Sequence, residues 1–165
     1  MRVYLPATTT VLRELVDSGE IGPAPLTAFA VTPALREWYL DEDDEELEYA
    51  ALSEAARGSL RLIDAAIGAT RRRVVVAADV ADDAVEFRDD LQRGVVRVRE
   101  PVVLAAVASV HVDDADAEDT IRAAARSIIA ADLGDAEAQE RVDDAEGFEL
   151  SWYANQEVSD LLSGL

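Results

Sequence analysis

The sequence contains no lysine and no cysteine, and its single histidine is His111. All 15 of its basic side chains are therefore arginines. A phosphate-binding P-loop needs a lysine, a Schiff-base enzyme needs an amine, and thiol catalysis or a thiolate zinc site needs cysteine. These classes of chemistry are excluded before any motif is considered.

Aromatic residues are scarce, with three Phe, two Trp and four Tyr among 165 residues. Half of the chain is apolar, and alanine and valine supply much of that half. No apolar run approaches the roughly 20 residues that a membrane-spanning helix requires, and the first residues lack the apolar stretch of a signal peptide. We therefore expect a single cytoplasmic domain, residues 1–165, that does not associate with a membrane.

The net charge of −20 disfavours binding to DNA or RNA, because every phosphate contact needs a cation and the field of the protein repels polyanions. A basic partner protein or a multivalent cation would instead be attracted. The simplest interpretation is that the acidic residues form the surface and keep the protein soluble.

Hydrophobic periodicity and capping residues predict alternating strands and helices. The predicted strands are residues 2–5, 26–31, 73–80, 95–98, 102–112 and 148–153, with a short pairing at 85–87. The predicted helices follow the caps Thr8–Thr10, Thr32, Asp116 and Asn155, with a shorter helix that starts near Asp135 and a long helix from about Glu45 to Ile67. Six consecutive carboxylates, residues 41–46, precede the long helix and favour the positive end of its dipole.

This order predicts an α+β fold with a mixed β-sheet of about five or six strands. We expect parallel, right-handed strand–helix–strand crossovers, antiparallel hairpins in the middle of the chain, and helices packed mainly on one face. Residues 26–39 and 148–162 share a strand-to-helix pattern, which indicates a weak internal pseudo-symmetry.

Several long motifs resemble an uncharacterised family of small acidic proteins from high-GC bacteria. They are the start MRVYLPAT (residues 1–8), the string LTAFAVTPALREWY (26–39), and residues 71–79, 110–114 and 152–157. The resemblance spans almost the whole chain and implies one intact domain. It implies no activity, cofactor or catalytic residue.

A first candidate site lies at residues 111–119, where a strand ends and a helix begins. On an extended strand His111 and Asp113 point to the same side, and Asp114, Asp116 or Glu118 could complete a magnesium, manganese or calcium shell. Alternatively, Asp114 or Asp116 caps the helix and the other acids favour its dipole, with His111 half-buried or exposed.

A second candidate is a ligand pocket formed by the two similar strand–helix corners, suited to a flat or anionic small molecule. Its residues would be Tyr4, Trp38, Tyr39, Trp152 and Tyr153, with Arg36 and Asn155 as polar partners. The alternative is that these rings fill a core built otherwise from small residues.

Arg71, Arg72 and Arg73 form the densest positive cluster and could bind a phosphate or carboxylate. Alternatively, they are the solvated start of a strand, paired to nearby acids. A Ser-His-Asp triad could use only His111, for which the sequence shows no partner serine.

The function is thus unknown from sequence. The interpretation that fits best is a non-enzymatic cytoplasmic binding or protein-interaction module without a cofactor, and the oligomeric state stays open. Two alternatives are a divalent-metal-dependent enzyme centred on His111 and Asp113, and an acidic mimic that binds a basic partner protein in place of nucleic acid.

Overall fold

A computed structural model describes residues 1–40, 43–66 and 68–165, and it has an α+β architecture. The strands are β1 Arg2–Ala7, β2 Glu20–Ile21, β3 Leu26–Phe29, β4 Val74–Asp79, β5 Val85–Phe87, β6 Val95–Val98, β7 Val102–Val103, β8 Val107–Val112 and β9 Ser151–Ala154. The helices are α1 Thr9–Ser18, α2 Pro33–Trp38, α3 Asp44–Ala65, α4 Glu118–Asp132, α5 Ala136–Glu146 and α6 Val158–Ser163.

Seven of the strands form one sheet in the order β5-β6-β3-β1-β4-β8-β9, and β2 pairs with β7 in a separate ribbon. Every pairing within the described residues is antiparallel, so the predicted mixed sheet with parallel crossovers is wrong. The connections explain the difference. Two helices, α4 and α5, connect β8 to β9 and pack against each other. A pair of antiparallel helices brings the chain back to the end of the sheet that it left, so β9 runs antiparallel to β8.

Helices cover both faces of the sheet, which corrects the prediction that they pack mainly on one. On β1, Tyr4 packs with α3 on one face, while Val3 and Leu5 pack with α1 and α6 on the other. The central strand β4 is buried on both faces, from Val74 to Ala78. A strand with two apolar faces needs cover on each side.

Helix α3 lies unusually close to the sheet. A Cβ at Gly58 would lie 2.8 Å from Cγ of Pro6 on β1, so only glycine permits this approach. One residue further on, the hydroxyl of Ser59 donates to the carbonyl of Ala7 at 2.7 Å and accepts from the amide of Val74 at 3.0 Å. These contacts tie α3 to the two central strands.

Helix α3 lies on β1, β3 and β4 as far as Ser59, and its last turns, with Leu60 and Ile63, pack with α4 and α5 in a separate helical core. At its start, Asp43 and Glu46 form a reciprocal capping box, and Asp44 and Glu45 lie in the first turn, as the predicted dipole interaction requires. Asp41, Glu42 and Ile67, which the sequence predictions also included, lie outside the described residues.

Local signals located most elements correctly. Thr8 and Thr32 cap α1 and α2 as predicted, and α5 starts at the predicted place, where Asp135 is its cap. The predicted long strand 102–112 is divided by a turn into β7 and β8. The pseudo-symmetry of the two strand–helix corners stays a prediction. Among the described residues, no helix combines the length and the apolar character needed to span a bilayer.

Candidate functional site

His111 lies on β8 between Val75 of β4 and Trp152 of β9, so these side chains project from the face that carries α3. The Nε2 atom of His111 is 3.1 Å from Oγ of Ser109, two residues away on the same strand. Burial, and secondarily the positive charge of Arg2, lowers the pKa of His111 below 6.5.

Ser109 was not predicted as a partner of His111. The two residues lie on one strand, and the sequence around Ser109 has no nucleophile motif. The pair does not make a catalytic triad. Ser109 is 5% exposed and lies within β8, beside a register shift against β4, and among the described residues no carboxylate bonds the other ring nitrogen of His111. Nucleophilic attack on a substrate would need both an accessible hydroxyl and an oriented base.

Asp113 is buried in an ion pair with Arg73, its neighbour across β4 and β8. Its carboxylate accepts from Nε, Nη2 and the backbone amide of Arg73, each at 2.8 Å. The Asp113 side chain is fully buried and that of Arg73 is 4% exposed. Arg73 therefore pairs with a nearby acid of the chain, as the alternative predicted, but it is buried rather than solvated; binding of a ligand by the arginine cluster stays a prediction.

The other predicted metal ligands diverge from His111 and Asp113. Asp114 accepts from the hydroxyl of Ser151 at 2.9 Å, and Glu118 pairs with Arg72 at 3.1 Å. Asp116 is exposed in a short 3-10 turn before α4, where neither it nor Asp114 caps the helix, so the predicted cap is wrong. Within residues 1–40, 43–66 and 68–165, no cluster of three or more His, Asp or Glu could hold a metal.

The predicted aromatic pocket is also not assembled. Trp152 is on the edge strand β9, whereas Trp38 follows β3, and β1, β4 and β8 lie between those strands. Four strand spacings correspond to about 19 Å. Tyr4 is buried beneath α3, as the core alternative predicted, and Tyr153 packs on the opposite face.

The polar members of that set have structural partners. Asn155 donates from Nδ2 to the carbonyls of Leu104 at 2.7 Å and Val107 at 2.8 Å, which holds the turn before β8. Its predicted role as the cap of the last helix is therefore wrong, because α6 has no side-chain cap. Arg36 pairs with Asp44 at 2.7 Å and so links α2 to the start of α3. Only Trp38 and Tyr39 remain together on an accessible surface.

These two rings belong to a surface around the α2–α3 junction, which we call the α2–α3 surface: Trp38, Tyr39, Glu45, Glu46 and Tyr49. Its three aromatic residues are exposed to 60%, 38% and 57% for Trp38, Tyr39 and Tyr49. Tyr39, Tyr49 and the two glutamates line a shallow depression of about 360 Å³. Exposed aromatics grouped in this way are typical of interaction sites.

The fold fixes part of this surface. Thr32 caps α2 by accepting from the amide of Leu35 at 3.1 Å, and its hydroxyl donates to the carbonyl of Arg93. The guanidinium of Arg93 then lies over the Trp38 ring, 3.6 Å from the ring centroid. Tyr49, Glu45, Glu46 and Arg93 were not predicted as site residues, although the acidic residues that precede Tyr49 in the sequence are a signal of exposure.

No curated protein and no solved structure matches this chain. One family model does match, that of a family of unknown function, DUF6912, and it covers residues 1–162. The match confirms the resemblance to an uncharacterised family, and the function of that family is unknown as well. The chain belongs to the family of unknown function DUF6912.

Proposed function

We propose that this protein is a single-domain, non-enzymatic interaction module of the cytoplasm that binds a basic segment of a partner protein. The α2–α3 surface is the contact. The observation that carries this proposal is the grouping of exposed Trp38, Tyr39 and Tyr49 with Glu45 and Glu46, which form no ion pair with any described residue.

The charge distribution supports a basic partner. In the described part of the chain, no ion pair involves Glu45 or Glu46, whereas nine of the arginines pair with acids of the chain itself. The carboxylates at the α2–α3 surface thus keep their charge for an external cation. The net charge of −20 adds a long-range attraction that speeds the encounter and repels nucleic acid.

The aromatic rings support arginine as the recognised side chain. Trp38 already holds the guanidinium of Arg93 against one face, and more than half of its surface remains exposed. A cation over an aromatic ring contributes about 0.5–2 kcal/mol, depending on how far it is desolvated. Trp and Tyr also dominate the energetics of protein interfaces.

A direct test is to titrate the protein with a synthetic peptide of alternating arginine and glycine at about physiological salt, where surface charges are screened beyond roughly 8 Å. The corresponding glutamate–glycine peptide is the negative control. We expect binding of the arginine peptide, weakened about threefold to thirtyfold by Trp38→Ala or Tyr49→Ala.

Trp152→Ala is the matched control variant. Trp152 is about as exposed as Trp38, at 61%, but it lies on the edge strand β9, four strands away from β3. It should leave the affinity unchanged. Equal weakening by Trp38→Ala and Trp152→Ala would show that general charge attraction, rather than the α2–α3 surface, accounts for binding. Lack of any difference between the two peptides would contradict the proposed function itself.

A further inference from the structure

A separate cleft opens on the other side of α3, between the helix and the segment that leads from α5 to β9. It has a volume of about 550 Å³, within the range of roughly 300–1,000 Å³ typical of small-molecule sites. Its walls include Tyr49 and Leu52 from α3, and Phe148 and Leu150 from the connecting segment. Arg73 is the one basic side chain among its lining residues.

Arg73 presents a specific polar group here. Its Nε and Nη2 atoms are used by Asp113, and Nη2 also donates to the carbonyl of Phe148 at 2.8 Å. Within the described residues, Nη1 makes no hydrogen bond and is not among the enclosed polar atoms without a partner. Because the carboxylate occupies the Nε–Nη2 edge, Nη1 is left for an acceptor in the cleft.

The surrounding charges decide which acceptor fits. The buried carboxylate of Asp113 already neutralises Arg73, and Glu146 and Glu149 line the cleft as exposed acids. An anion would meet three carboxylates and one guanidinium that is already paired. A neutral carbonyl can accept from Nη1 without that repulsion.

We infer that this cleft binds an uncharged, mainly apolar organic molecule that presents a carbonyl oxygen to Nη1 of Arg73. The apolar body lies against Leu52, Phe148 and Leu150. This site is independent of the proposed interaction with a basic segment, although Tyr49 borders both regions.

Two probes of the same shape test the inference: 3-phenylpropanamide, which is neutral, and 3-phenylpropanoate, which is an anion at neutral pH. Each is titrated into the ¹⁵N-labelled protein, and amide shifts are followed by NMR. We expect the amide to shift Leu52, Phe148 and Leu150 and to bind about tenfold more tightly than the carboxylate. An ordinary arginine anion site would give the opposite order.

Phe148→Ala should weaken the amide by removing one wall, and Leu133→Ala, an 84% exposed position just past the end of α4, is the control. Replacing Arg73 alone would strand a buried charge, so the second variant is the double substitution Arg73→Met with Asp113→Leu. It should weaken the amide about tenfold by removing a charge-assisted hydrogen bond.

Tighter binding of the carboxylate, or no shift of the lining residues with the amide at about 10 mM, would overturn the inference. Equal binding of the amide to wild type and to the double variant would show that Nη1 is not the donor, which also contradicts it. None of these results depends on whether the arginine peptide binds the α2–α3 surface.

Discussion

The buried pair between Arg73 and Asp113 gives the sharpest prediction about stability. Asp113→Leu would leave the guanidinium of Arg73 enclosed without its counter-charge and remove three acceptor contacts of 2.8 Å. Breaking a buried pair in this way costs about 3–5 kcal/mol. For a chain of this length, each kcal/mol lowers Tm by about 2–4 °C, so we expect a drop of about 6–20 °C.

The double substitution Arg73→Met with Asp113→Leu separates the cost of a stranded charge from the value of the pair itself. Replacing both partners by apolar residues of similar volume is often neutral or stabilising, by about 1–4 kcal/mol in the favourable cases. We therefore expect the double variant to be much more stable than Asp113→Leu. Urea unfolding followed by circular dichroism measures both.

The reasoning fails if Asp113→Leu costs less than about 1 kcal/mol, because such a value is typical of a solvent-exposed ion pair. It also fails if the double variant is as unstable as the single one. That result would mean that the hydrogen bond from the Arg73 amide, which both variants lose, rather than the stranded charge, causes the destabilisation.

Three further predictions follow from other contacts. Gly58→Ala should destabilise the protein by about 1 kcal/mol in thermal unfolding, because the new Cβ would lie 2.8 Å from Pro6. This clash costs more than the higher helix propensity of alanine contributes, and a stabilised variant would contradict the prediction. Burial lowers the pKa of His111 in the folded protein below 6.5, so as the pH falls the imidazole of the unfolded chain is protonated first. Wild type should therefore lose stability as the pH falls through 6.5, and His111→Gln should lose less. If the unfolding free energies of wild type and His111→Gln, measured with urea, changed equally with pH, the prediction for His111 would be contradicted. Hydrogen bonds from Arg61 lower the pKa of Asp132 below 3.8. Asp132→Asn should therefore lower the free energy of unfolding by about 0.5–1 kcal/mol at neutral pH and leave it unchanged once the pH falls below the lowered pKa. A difference in stability between wild type and variant that persists in acid would refute this prediction.

Capping residues and periodicity located the elements because their signals are local. Thr8, Thr32 and Asp135 each bond an amide three residues ahead, which depends only on neighbouring sequence. The direction of the strands could not be read in the same way. It depends on whether a connection returns the chain to the same end of the sheet, and β2 and β7, at two residues each, are too short to carry a pattern.

The functional residues were harder to predict because tertiary pairing decides them. Arg73 and Asp113 are 40 residues apart in the sequence, and only the register of β4 against β8 brings them together. Tyr49 falls on the apolar spacing of α3, which by itself places a side chain toward the core, yet it is 57% exposed. Helical periodicity gives the direction of a side chain but not whether the opposing surface extends far enough to cover it.

Most polar groups able to do chemistry in this chain are committed to structural bonds. Asp113 holds Arg73, Asn155 holds two carbonyls, and His111 contacts Ser109. Besides Nη1 of Arg73 in the cleft, the groups left for a partner are on a charged exterior with a few exposed rings. The net charge attracts any basic protein, so charge alone cannot select a partner. Selectivity has to come from short-range contacts that salt does not screen. The affinities of Trp38→Ala and Trp152→Ala for the arginine peptide therefore test the proposed function more stringently than the overall affinity of the wild type does.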